Sequence, residues 1–99
     1  MKIKTVNHTS KGSSEKMFVV FDGETPIGFV TKYPNTRTEI HPWKAFYYTV
    51  RPINGALAEY DSLGVFYPRS VPTQPKQRAI NAIVERYKEF NSTHTPVTN

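Results

Sequence analysis

No cysteine occurs among the 99 residues, which excludes a disulfide framework and any zinc site built on thiolates; the fold has to be held together by its core. Long apolar runs are missing too. No stretch approaches the roughly 18 to 20 residues of a transmembrane helix, and the first residues, MKIKTVNHTSKGSS, lack the hydrophobic segment of a signal peptide. The expectation is a soluble, cytoplasmic chain with no membrane partner. Glycines are few and dispersed, with neither a P-loop nor GxGxxG, so the common backbone cradles for nucleotide phosphates are absent.

Catalytic and metal chemistry are equally thin. The eight acidic residues are scattered, and no serine or threonine stands in the strand-turn-helix glycine context of a nucleophile elbow. The three histidines, His8, His41 and His94, lie far apart; only Glu39 and His41, two positions apart, would share one side of an extended segment, which leaves a metal short of ligands. We therefore expect a protein that is not an enzyme, with no cofactor and no metal.

What is abundant is aromatic and positive. Thirteen Lys and Arg against eight Asp and Glu give a net charge of +5, a bias toward polyanionic partners such as nucleic acid or an acidic protein surface, and 13% of the residues are aromatic. The length suits one domain, with a core over about 17–90, a segment 1–16 that is either flexible or an edge strand, and a disordered tail over 91–99.

Met17 to Asp22 and Ile27 to Lys32 are short β-rich runs separated by Asp22-Gly23-Glu24-Thr25-Pro26, which is hairpin-turn chemistry. Trp43 to Arg51 is a third, internal strand, with Trp43, Ala45, Tyr47 and Thr49 on one face and Lys44, Phe46, Tyr48 and Val50 on the other. Leu63 to Tyr67 makes a fourth strand after a loop over 52–62, and Met1 to Val6 is the candidate for a fifth, at an edge. Ile27-Gly28 and Leu63-Gly64 open their strands alike; a glycine there permits a β-bulge or a close backbone approach.

From Pro75 to Phe90 the period changes. Ala79, Ile80, Ile83, Val84, Tyr87 and Phe90 recur at helical spacing, and Pro75 suits a first turn. The fold class is α+β: a four-stranded antiparallel meander, or five-stranded with the N-terminal segment, packed on one C-terminal helix. Trp43 and Phe46 are expected to hold the sheet to that helix, which leaves the other sheet face and the long loops for function.

Lys32, Arg37, Lys44, Arg51 and Arg69 are interleaved with Tyr33, Trp43, Tyr47, Tyr48 and Tyr67, a mixture able to neutralise phosphates and stack on bases. Lys32, Tyr33, Arg37, His41, Lys44, Tyr48, Arg51 and Arg69 are the candidate contact residues. Trp43-x-Ala45, then Leu63-Gly64-Val65-Phe66, then Ala79, Ala82 and Tyr87 in a strand-strand-strand-helix order loosely resemble the AP2 and integrase-arm DNA-binding domains. That resemblance implies a sheet entering a major groove through Lys44, Arg51 and Arg69, although the insertion from Pro52 to Leu63 and the spacing of Arg51 depart from the pattern.

The functional expectation is a small basic binding protein that contacts nucleic acid through a basic and aromatic sheet face and its loops. The alternative is an accessory protein, of the kind the chain resembles in size and style among bacteriophages and mobile elements, that occupies and modulates a host protein. Exposed Tyr, Trp and Arg would serve that role as well, and a free sheet edge could pair with a second copy.

Overall fold

A computed structural model of the chain describes residues 2–32, 42–50, 58–68 and 73–93. Five strands, β1 (Ile3–Asn7), β2 (Lys16–Asp22), β3 (Thr25–Lys32), β4 (Trp43–Val50) and β5 (Glu59–Phe66), form one antiparallel sheet in sequential order, followed by a single helix α1 (Pro75–Thr93). The meander is therefore five-stranded, with the N-terminal segment as its edge. Gly23, at φ 61°, makes the tight β2–β3 turn, and its N–H bonds the Lys2 carbonyl at 2.8 Å, so the same turn anchors the start of β1. At the far end of β1, Thr9 holds the connection: its hydroxyl accepts from the Met17 N–H at 3.0 Å, and the His8 N–H donates to the Met17 carbonyl at 2.8 Å.

Alternation assigns the faces. Val20, Ile27, Val30, Trp43 and Ala45 are buried in one cluster with Ala79, Ile80 and Ile83 of α1, and Phe18, Leu63, Phe66, Val84 and Tyr87 pack around it. Two bulges serve this core. Between β2 and β3 the register skips Ile27, passing from Gly28 opposite Val20 to Pro26 opposite Phe21; between β4 and β5 it skips Leu63, passing from Gly64 opposite Ala45 to Ser62 opposite Phe46. In each hairpin the skipped residue is the aliphatic one before the glycine, and it joins the cluster beneath the helix. The repeated aliphatic-Gly pair thus marks the same device twice. Pro26, lacking an N–H, sits next to the first bulge, where a ladder bond is interrupted.

Three expectations need correction. Phe46 does not hold the sheet to the helix: it alternates with Trp43 and Ala45 and stacks on Phe29 on the opposite face, with ring centroids 4.7 Å apart. β5 starts at Glu59, inside the stretch read as a loop, because Glu59-Tyr60-Asp61-Ser62 lies exposed along the sheet's edge and has no apolar alternation to announce it. The helix continues to Thr93, so its last residues fall within the stretch 91–99 expected to be a disordered tail. Arg78, near its start, donates to the Tyr67 carbonyl and ties the helix to the end of β5. Among the described residues, no helix is long and apolar enough to cross a membrane.

Candidate functional site

The helix covers one face of the sheet; the other carries a contiguous aromatic surface. Phe29 of β3 and Phe46 of β4 stand opposite each other and stack nearly parallel, at 12°. Tyr60 of β5 meets both edge-on, with centroids 4.9 Å from Phe29 and 5.5 Å from Phe46, and Tyr48 lies 5.7 Å from Phe29. Phe29 is consequently buried on the face away from the helix, whereas Tyr60 keeps 52% of its surface exposed. Such edge-to-face and offset contacts hold the rings in fixed orientations. The layer is thus a preformed platform, with Tyr60 and the half-buried Tyr48 at its outer side.

The environment of Tyr48 reflects that packing. Burial pushes its phenol above the usual value, and the neighbouring Tyr60 adds to the rise. Around the rings the register brings Val6, opposite Val19, and Val65, opposite Lys44; both are exposed apolar side chains. Thr31, also opposite Lys44, is buried with no partner for its hydroxyl.

Charge is distributed along the strand axis. Lys16, Lys32 and Lys44 occupy the end where β2 and β4 begin and β3 finishes, and Lys76 joins them from the start of α1. Asp22, Glu24, Glu59 and Asp61 occupy the opposite end, where Lys4 pairs with Glu24 at 3.8 Å. Among the described carboxylates, Glu15 alone flanks the lysine end, and it forms no ion pair with a described residue.

Of the expected contact residues, Lys44 and Tyr48 share the open face. Lys32 lies on the other face, opposite Trp43, with its ammonium 5.8 Å from the indole centroid. Tyr33, Arg37, His41, Arg51 and Arg69 lie outside the described residues. Trp43 is a core residue, only 8% exposed and 6.0 Å from the Phe18 ring. Sequence reasoning missed Phe29 and Tyr60 as parts of the platform, and Lys16 and Lys76 as neighbours of Lys32. Alternation along β3 places Phe29 opposite to Val30 and was signal enough for the first; the others depend on register and helix placement.

The chain has no significant match to any family model, curated protein or solved structure.

Proposed function

We propose that the protein is a small, non-enzymatic binding protein whose open sheet face takes single-stranded nucleic acid. The observation that supports this is the aromatic layer of Phe29, Phe46, Tyr48 and Tyr60, with Lys44 on the same face at the lysine-rich end of the sheet. Aromatic rings on an antiparallel sheet offer π-faces to unstacked bases, and lysines neutralise the phosphates between them. A paired duplex hides its base faces. Reading it through the major groove calls instead for side chains that reach base edges, such as Arg, Asn or Gln, so this platform favours a single strand.

The accessory-protein reading draws on the same surface, because exposed Val6, Val65 and Tyr60 also suit an apolar protein contact. It differs in its dependence on salt. Phosphate binding weakens steeply as salt rises; an apolar contact does not.

The test is fluorescence anisotropy with labelled single-stranded DNA, single-stranded RNA and duplex of matched sequence, at low and moderate salt. Single strands should bind more tightly than duplex, and Tyr60→Ala should weaken binding by about 5- to 150-fold, the range for losing one stacked base. No binding at low salt, or equal binding by Tyr60→Ala, would remove this function.

A further inference from the structure

On the helix-covered side of the lysine end, Lys16 and Lys32 are direct cross-strand partners, an arrangement of like charges that costs stability. Lys76 comes down on the same place from α1, its ammonium 3.7 Å from the Phe18 ring centroid and 5.4 Å from that of Trp43. The first turn of the helix holds no carboxylate. Among the described residues, none of these three lysines makes an ion pair.

The rings explain how the cations are held, not why they are gathered. Lys32 and Lys76 hold their ammonium groups over the Trp43 and Phe18 rings, above an indole that is nearly inaccessible, and that attraction orients the two charges. Three cations gathered here, with Glu15 the one described carboxylate beside them and no ion pair to it, at the end of a molecule whose strand carboxylates mostly sit at the other, make a site complementary to a polyanion. Lys44 connects it to the open face. It adjoins Trp43 in β4 and stands opposite Thr31, the residue before Lys32, so the two surfaces meet across the end of the sheet.

We propose that Lys16, Lys32 and Lys76 form a phosphate clamp that grips the backbone of the bound single strand where it leaves the aromatic face and turns over the sheet end past Lys44. This rests on the function proposed above, but it concerns a separate surface. The aromatic platform takes the bases, and the clamp takes phosphates without regard to sequence.

The test is the salt dependence of single-strand binding by the intact chain carrying K16Q, K32Q and K76Q together. Each lost phosphate contact removes about 0.7 from the slope of log affinity against log salt, so the slope should become shallower by about 2. Tyr60→Ala should lose affinity with its slope unchanged. K16R, K32R and K76R together should keep the wild-type slope, and thermal melting confirms that each variant is folded. A charge-matched control, Lys2, Arg86 and Lys88 all changed to Gln, should also leave the slope unchanged. An unaltered slope in the first variant, or an equal loss in the control, overturns the clamp while leaving the open-face function in place. Absence of binding by the wild-type protein overturns both.

Discussion

Gly28 of β3 lies beneath Ile83 of α1 with no space for a methyl group: a Cβ at this position would stand 2.8 Å from Ile83 Cγ2 and press against the Phe46 carbonyl oxygen. The helix can sit this low only because β3 has no side chain at the crossing, and Ile83 is fully buried as a result. Gly28→Ala should therefore destabilise the protein by about 1 to 3 kcal/mol, the cost of overpacking where the obstacle includes backbone. The measurement is the urea midpoint; an unchanged midpoint would mean that the helix rides higher than this contact requires.

The same glycine shows what was legible in the sequence. A hairpin turn at Asp22-Gly23, a glycine early in two strands, and a helical period from Pro75 are local signals, and local physics carries them into the fold. Phe46 was harder. Its alternation with Trp43 already placed it on the Lys44 face, yet its bulk argued for the core, because the rule that aromatics pack under the helix ignores a sheet able to bury Phe29 on its far side with its own neighbours. The convergence of Lys16, Lys32 and Lys76 had no local signal at all. It depends on the β2–β3 register and on where the helix starts over the sheet, both long-range outcomes of packing.

Trp43 separates stability from recognition. Its indole is buried against Phe18 beneath Lys32 and Lys76, so Trp43→Ala should cost about 3 to 5 kcal/mol, as for other large-to-small aromatic truncations. Trp43→Phe, which keeps a ring in the site, should cost clearly less. Chemical denaturation of both variants checks this. Wild-type stability in Trp43→Ala would instead make the indole a surface residue.

Thr31 offers the opposite sign. Its hydroxyl is buried without a partner, and an unsatisfied buried polar group carries a desolvation penalty of about 1 to 3 kcal/mol. Thr31→Val keeps the shape and the β-branched preference for a strand while removing that penalty, so it should raise stability by about 1 kcal/mol. Thermal and urea unfolding measure the change. A loss of stability would show that the hydroxyl is hydrogen-bonded in solution.

Tyr48 should make the protein sensitive to alkali. Its phenol is raised above the usual 10.0, first by burial and then by Tyr60. Below that unfolded value the group is neutral in both states and its contribution to stability is fully present. As the pH climbs past it, the unfolded chain gives up the proton while the folded chain keeps it; the unfolded state then binds fewer protons, and stability falls until the folded phenol ionises as well. Melting temperature measured from about pH 8 to pH 11 should therefore decline less steeply in Tyr48→Phe than in the wild type, with lysine titration common to both. Because the Tyr60 hydroxyl supplies part of the shift, Tyr60→Phe should recover a smaller share of the same difference, and identical alkaline slopes in all three proteins would mean that Tyr48 is as well solvated as a phenol in the unfolded chain.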